Sequence, residues 1–147
     1  MSALHPVTVH FPIALLLVAS LFTLIALRRN EPAWDTSAYH CLLVGWFAGI
    51  VAILSGTFDA WRQLSGPGGI NDLGLINWVN GHAFSNIASL IVYGQALLRR
   101  RRRADILADP EARRSYLRLH AIGVALLLFG GWLGGRLVYE FGLGVAQ

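Results

Sequence analysis

Four long runs without a charged side chain constrain this chain more than any other feature of its sequence. They cover residues 7–27, 41–58, 73–98 and 119–135. Each is close to the roughly 20 residues that a helix needs to cross a bilayer core of about 30 Å. The chain is 55% hydrophobic and only 14% charged, whereas an average soluble domain is about 25% charged. The sequence therefore predicts an all-α integral membrane protein, one four-helix bundle with helices at about residues 6–27, 37–58, 75–98 and 111–138.

Arginine is distributed unevenly between the two ends of these helices. Ten of the twelve arginines follow the first or third run or precede the fourth, and only Arg62 and Arg136 lie at the opposite ends. Because cytoplasmic loops carry an excess of basic residues, we predict a multi-pass protein of the bacterial inner membrane with both termini on the non-cytoplasmic side. The run Arg99–Arg103 is a topology anchor in this interpretation, with anionic lipid binding as the alternative. A basic surface at helix ends predicts the lipid bilayer as partner, and no nucleic acid.

Two histidines on different helices lie at one depth in the outer half of the predicted bundle. His10 precedes Arg28 by 18 residues, and His82 precedes Arg99 by 17. With a rise of 1.5 Å per residue, both lie about 26 Å from the cytoplasmic edge. Cofactor sites in bundles are built from side chains on facing helices, and histidine ligates haem iron. We therefore predict His10 and His82 as axial ligands of a haem b.

His40 and His120 offer a second pair in the cytoplasmic half. They lie 19 residues before Asp59 and 16 before Arg136, so their depths also correspond. They predict a second haem b, giving one or two haems in all. The alternative is that these histidines are polar helix ends of a structural subunit in a membrane complex.

A non-haem metal site on the outer side is the other candidate. His5, His10, His82 and Asp59 are of the ligand types that copper, zinc or iron accept. His5 and His10 are five residues apart, about 140° around a helix, and so would share one face only if His5 precedes the helix. Arg136 is predicted either to bind a haem propionate or to form an ion pair with Asp59 that closes the bundle.

Glycines spaced four apart mark close helix contacts. Gly130 and Gly134 form one such pair on the fourth helix, and Gly131 and Gly135 form another. Small residues let helix backbones approach closely, and they also make room for a flat cofactor between helices.

Four motifs distributed over nearly the whole chain carry a family resemblance. They are His5-Pro6-Val7-Thr8-Val9-His10-Phe11-Pro12, Gly56-Thr57-Phe58-Asp59 followed by Trp61, Gly81-His82 with Asn86, and Gly131-Trp132-Leu133-Gly134-Gly135-Arg136-Leu137-Val138-Tyr139 with Gly142. Together they resemble the motifs of a bacterial membrane family, the domain-of-unknown-function 2231 family. One departure is that Ala60 separates Trp61 from Asp59.

This resemblance implies a link to electron transfer, because some relatives look like fusions to Rieske or cytochrome c modules. The layout also resembles the two-haem cytochrome b superfamily. We therefore expect a membrane-embedded b-type haem protein that carries electrons from a donor such as quinol to an outer-side redox protein of the Rieske or cytochrome c type. The sequence contains no recognisable catalytic triad or phosphate loop, so we expect an electron carrier or a subunit of an oligomer or larger complex rather than a stand-alone enzyme.

Overall fold

The computed structural model describes residues 4–65 and 72–143, and all regular structure in these two stretches is helical. The helices are α1 (His5–Thr8), α2 (His10–Arg29), α3 (Pro32–Ser65), α4 (Leu73–Arg102) and α5 (Pro110–Tyr139). Since α1 is one turn that leads directly into α2, the described residues form four long helices. The predicted all-helical architecture is therefore confirmed.

The short interruption between α1 and α2 follows from the sequence. Pro12 has no N–H group to donate to the carbonyl of Thr8, so one helical hydrogen bond is missing there. The backbone of Val9 nevertheless keeps helical dihedral angles, φ −74° and ψ −31°. The two helices therefore run on as one rod whose first turn carries His5.

Carboxylates and a left-handed residue define the helix ends. Asp109 accepts hydrogen bonds from the backbone N–H groups of Glu111 and Ala112 and so caps α5 ahead of Pro110. Asp72 caps α4 in the same way, through Gly74 and Leu75. These bonds satisfy N–H groups that have no partner within the helix. Asn30 ends α2 with φ 54°, a conformation that asparagine tolerates better than most residues.

Helix α3 is longer than the apolar run that predicts it. It begins five residues before and ends seven residues after the predicted span 37–58. Pro32 suits the first helical position, because its missing N–H would have had no partner there. A helix can continue into water beyond the bilayer core, so the apolar run defines the membrane segment rather than the helix.

The four long helices form two antiparallel hairpins, α2 with α3 and α4 with α5, which pack side by side through α3 and α4 and through α2 and α5. An ion pair of 2.7 Å between Asp35 and Arg100 joins the start of α3 to the end of α4. Farther along the same pair of helices, the indole N–H of Trp46 donates to the carbonyl of Leu90 at 2.9 Å.

The inside of this bundle combines large apolar side chains with small and polar ones, while large apolar side chains cover the outside. Ser89 is buried and donates to the carbonyl of Gly123 on α5 at 3.1 Å. By contrast, Phe47, Leu54 and Phe84 are at least half exposed. Soluble proteins rarely expose such extended apolar surface, whereas helix contacts within a bilayer favour small residues.

Three stretches are long and apolar enough to cross a membrane. They are His5–Arg29, Pro32–Gln63 and Pro110–Tyr139. Helix α4 is equally long, but it begins with a polar half and ends with four arginines. The chain is therefore a multi-pass membrane protein by length and composition, with at least three candidate spans in its described residues.

Candidate functional site

His5 and His82 come together in the interior of the bundle. Their ring centroids are 5.9 Å apart, and the ring planes are nearly perpendicular at 83°. His5 lies on α1 and His82 in the first half of α4. The first turn of the chain and the third long helix thus supply one imidazole each to a shared position.

Each imidazole is fixed by a backbone carbonyl of a neighbouring helix. The Nδ1 atom of His5 lies 2.9 Å from the carbonyl oxygen of Ala52 on α3, and that of His82 lies 2.9 Å from the carbonyl oxygen of Gly130 on α5. A carbonyl oxygen only accepts, so both Nδ1 atoms carry the hydrogen in these bonds. Both Nε2 atoms therefore keep a lone pair that can ligate a metal or accept a hydrogen bond.

Asp59 holds the backbone of the turn that carries His5. Its side chain is buried, and Oδ2 accepts the N–H groups of Leu4 at 2.7 Å and His5 at 2.8 Å. A carboxylate at this position supplies partners for N–H groups that a helix start leaves free. Asp59 therefore positions His5 by holding the start of α1 against the end of α3.

The predicted ion pair between Asp59 and Arg136 is wrong. Arg136 pairs with Glu140 one turn later on α5, with an N–O distance of 2.6 Å. Its guanidinium also lies 4.3 Å from the ring centroid of Trp78 and 5.4 Å from that of Trp132. Glu140 and two aromatic rings therefore hold Arg136 at the edge of the bundle. The Asp59 carboxylate instead accepts hydrogen bonds from backbone N–H groups.

Two glycines allow the imidazoles to lie this close to the neighbouring helices. A Cβ atom at Gly56 would lie 2.8 Å from Nδ1 of His5, and one at Gly134 would lie 2.8 Å from Cε1 of His82. Both distances are shorter than van der Waals contact, so any larger residue would displace the ring. The absence of a side chain at Gly56 therefore makes space for His5, and the absence of one at Gly134 makes space for His82.

His10 is not the partner of His82 that the sequence predicts. Its side chain is exposed, and its Nδ1 atom bonds to the carbonyl oxygen of Pro6 in its own helix at 2.8 Å. Because His5 and His10 differ by about 140° around the helix axis, only one of them can face inward. The structure turns His5 toward His82, and His10 toward the surroundings of the bundle.

His120 forms a second buried polar cluster in the half of the bundle that contains the arginines. Its Nδ1 atom lies 2.9 Å from the hydroxyl of Ser20, which is also 3.0 Å from the hydroxyl of Tyr93. The Ser20 hydroxyl donates to the carbonyl of Leu16 at 3.0 Å, so it accepts from His120 and Tyr93. The Nε2 atom of His120 is buried and has no hydrogen-bond partner among the described residues.

The structure does not bring His40 and His120 together. His40 is exposed on α3, where its ring lies beside that of its neighbour Tyr39 at a centroid distance of 5.6 Å. His120 is 4% exposed, and its ring packs against that of Tyr116 with the two ring centroids 4.6 Å apart. Equal depth along two helices therefore does not place these two imidazoles on facing sides.

The donor set around the outer pair limits what it can hold. Over residues 4–65 and 72–143, no three histidine, cysteine, aspartate or glutamate side chains are grouped so that they could bind one metal ion. The predicted set of His5, His10, His82 and Asp59 is therefore not assembled. Two imidazoles remain, and a nitrogen ligand lies about 2.0–2.1 Å from its metal, which places two ring centroids roughly 6 Å apart across one ion.

Ser20 and Tyr93, which share the buried cluster of His120, are not among the residues predicted from the sequence. A polar residue within an apolar run was the available signal, because such residues usually face the bundle interior. The roles of the Ala52 and Gly130 carbonyls could not be predicted from the sequence, because every residue has a backbone carbonyl. Only the helix packing shows which carbonyl accepts a hydrogen bond from an imidazole.

Comparison with known proteins identifies the family but no characterised relative. No curated protein and no solved structure matches the chain. The model of the domain-of-unknown-function 2231 family, described as a predicted membrane protein, matches residues 1–147. This match confirms the resemblance carried by the four motifs. The chain with the paired imidazoles of His5 and His82 belongs to the domain-of-unknown-function 2231 family of membrane proteins.

Proposed function

We propose that this protein binds a b-type haem through His5 and His82 and transfers electrons within the membrane. The observation that carries the proposal is the pair of imidazoles 5.9 Å apart, each with its Nδ1 atom on a carbonyl. This arrangement leaves two Nε2 atoms for axial ligation. In this proposal His5 replaces His10, which faces outward.

The number of ligands favours haem over a non-haem ion. Haem iron needs only axial ligands from the protein, and two histidines satisfy that need. Zinc sites use at least three protein ligands, which the described residues do not group in one place. An isolated histidine pair thus suits a cofactor that brings its own four equatorial nitrogens.

The surrounding residues would orient and tune these ligands. A histidine ligand commonly donates its other ring N–H to a carbonyl or carboxylate, which fixes the ring and raises its basicity. The carbonyls of Ala52 and Gly130 do this here, and Asp59 holds the backbone beneath His5. When bound, haem would supply one-electron chemistry, and the protein would supply ligands and burial.

Arg136 has a different role in this proposal from the one that the sequence predicts. Its guanidinium is engaged by both carboxylate oxygens of Glu140, at 2.8 and 2.6 Å. We assign it to closing the outer end of α5 against Trp78 rather than to a propionate. A haem propionate would have to compete with Glu140 for the same donors.

We extend the proposal to four spans with both termini outside the cytoplasm. Helix α4 packs antiparallel to α5 and beside α3, and its 30 residues extend about 45 Å, enough to cross a bilayer core. Ten of the twelve arginines lie at one end of the bundle. In this proposal the His5–His82 pair lies in the outer half of the inner membrane, where it is accessible to an outer-side acceptor, and the donor is a quinol.

An absorption spectrum tests this function directly. The full chain is purified from membranes of haem-replete cells, and its visible spectrum and iron content are measured. We expect a Soret band, with reduced α and β bands of a b-type haem, and about one iron per chain. Protein without a Soret band and without iron overturns the haem proposal. Stoichiometric copper or zinc without colour from haem would favour a non-haem metal site, and no metal at all would favour a structural subunit.

A further inference from the structure

The two ends of the bundle differ strongly in charge. The end that joins α2 to α3 and α4 to α5 carries ten arginines and five acidic residues, a net charge of +5. The opposite end carries two arginines and three acidic residues, a net charge of −1. Lipid headgroups are the molecules that such an end meets in a membrane, and anionic headgroups attract arginine clusters next to a spanning helix.

A cavity opens at this basic end, between the last turn of α4 and the first turns of α5. Its volume is about 490 Å³, within the range of about 300–1,000 Å³ that small-molecule sites occupy. Its lining includes Arg99, Arg102, Arg103, Ile106, Asp109 and Ser115. Glu111 and Ala112 complete the wall on the α5 side.

Two of the five charged side chains that line this cavity neutralise each other. Arg103 pairs with Asp109 at 2.9 Å, and Asp109 also caps α5. Its hydrogen bonds from the backbone N–H groups of Ala112 and Glu111, and then the pairing with Arg103, hold the pKa of Asp109 below its usual value. Arg99 donates to the hydroxyl of Ser115. The acidic residue that caps the helix is thus neutralised locally.

Arg102 and Glu111 line the cavity without an ion pair among the described residues. Both side chains are exposed. Arg99 uses one guanidinium nitrogen for Ser115 and keeps other N–H donors free. Two guanidinium groups one turn apart on α4 therefore present free donors to the same cavity.

We propose that this cavity binds the phosphate of an anionic phospholipid headgroup, held by Arg99 and Arg102. Guanidinium groups bind phosphate oxygens through paired, charge-assisted hydrogen bonds. The apolar surface for the acyl chains adjoins the site, because Leu98 directly precedes Arg99 and is 52% exposed. That continuity from apolar surface to paired donors favours a lipid over a free phosphate. The site is independent of the histidine pair.

Lipid binding to the purified full chain tests the site. Delipidated protein in a neutral detergent is titrated with phosphatidylglycerol, phosphatidylcholine or inorganic phosphate, and bound lipid is counted by native mass spectrometry. We expect one phosphatidylglycerol molecule to bind, and to bind more tightly than phosphatidylcholine. Inorganic phosphate at the same concentration should not displace it. Arg102→Gln and Arg99→Gln should each weaken it roughly fivefold, the effect of one basic side chain at a membrane surface.

Arg101→Gln is the matched control, because it removes the same charge from the same helix at a residue that does not line the cavity. It should change binding less than twofold. Equal losses in Arg101→Gln and Arg102→Gln would mean attraction to overall charge and would overturn the site. Inorganic phosphate binding as tightly as phosphatidylglycerol would overturn the lipid as ligand. If Arg102→Gln fails to fold, Arg102→Lys keeps the charge without the paired donors, and undiminished binding to it contradicts the proposal.

Discussion

His5 and His82 lie with ring centroids 5.9 Å apart, although they come from opposite hairpins of the bundle. Each ring forms a hydrogen bond to a backbone carbonyl on one of the other two helices. His5 bonds to Ala52 on α3, and His82 bonds to Gly130 on α5. All four long helices thus meet at one pair of imidazoles. A perturbation of either ring should therefore be detectable both in ligand binding and in the stability of the bundle.

The histidine variants separate the inward-facing ring from the outward-facing one. His5→Ala and His82→Ala should each abolish or strongly alter the b-type absorption, because loss of an axial ligand weakens haem binding. His10→Ala, one turn away and exposed, is the control and should keep the spectrum. The measurement is the reduced-minus-oxidised spectrum of each purified variant. Loss of the haem signal in His10→Ala but not in His5→Ala would restore the pairing that helix depth alone predicts.

Gly134→Leu and Gly135→Leu form a matched pair for the close contact behind His82. A Cβ at Gly134 would lie 2.8 Å from the imidazole, while none of the described atoms lies within 4 Å of a Cβ at Gly135. Overpacking a tight contact costs about 1–3 kcal/mol. We expect Gly134→Leu to lower the thermal unfolding midpoint in detergent by several degrees and to disturb ligand binding by His82. Gly135→Leu should behave like the unmodified protein, and equal midpoints for the two variants would count against the contact.

Asp59→Ala tests the role of the carboxylate as a positioning group. Hydrogen bonds to a charged group contribute about 1.5–3 kcal/mol, and two N–H groups would lose their acceptor. We expect faster amide hydrogen exchange in the first turn, at His5 and its neighbours, and a lower unfolding midpoint. Asp59→Asn keeps one acceptor oxygen and should show a smaller effect. A direct metal ligand would instead give loss of metal with unchanged exchange at this turn.

His120→Ala and His40→Ala test the inner layer. His120 is buried and bonded to Ser20, whereas His40 is exposed. Removing the buried ring leaves a cavity and frees the hydroxyls around it, so His120→Ala should lower the unfolding midpoint by about 5 °C, which corresponds to roughly 2 kcal/mol. His40→Ala should leave the midpoint unchanged. Loss of a second haem signal in both variants would show that the two histidines do share a cofactor.

The orientation prediction rests on the division of arginines. A reporter enzyme that is active only outside the cytoplasm should work when fused after Gln147. The physical reason is that cytoplasmic loops retain basic residues during insertion, and ten of the twelve arginines lie at the other end. A reporter that is active only in the cytoplasm is the control and should be silent there. Its activity at this position would exchange the inner and outer histidine layers.

The sequence alone determined that the chain is an all-helical membrane protein, and it located the ends of several helices. Uncharged runs identify membrane segments because burying a charge in lipid is costly. The predicted start of the fourth helix, at about residue 111, lies within one residue of Pro110, where α5 begins. These properties follow from local chemistry along one helix.

Tertiary structure decided which side chains meet. A membrane helix has large apolar residues on its lipid-facing side and apolar residues inside as well, so polarity does not reveal the direction that each residue faces. Helix depth favoured His10 over His5 as the partner of His82, but the packing of α1 against Ala52 on α3 turns His5 inward. In the same packing, the Asp59 carboxylate accepts hydrogen bonds from two backbone N–H groups and does not pair with Arg136. Rise per residue fixes height within one helix, but rotation about its axis is fixed only by the neighbouring helices.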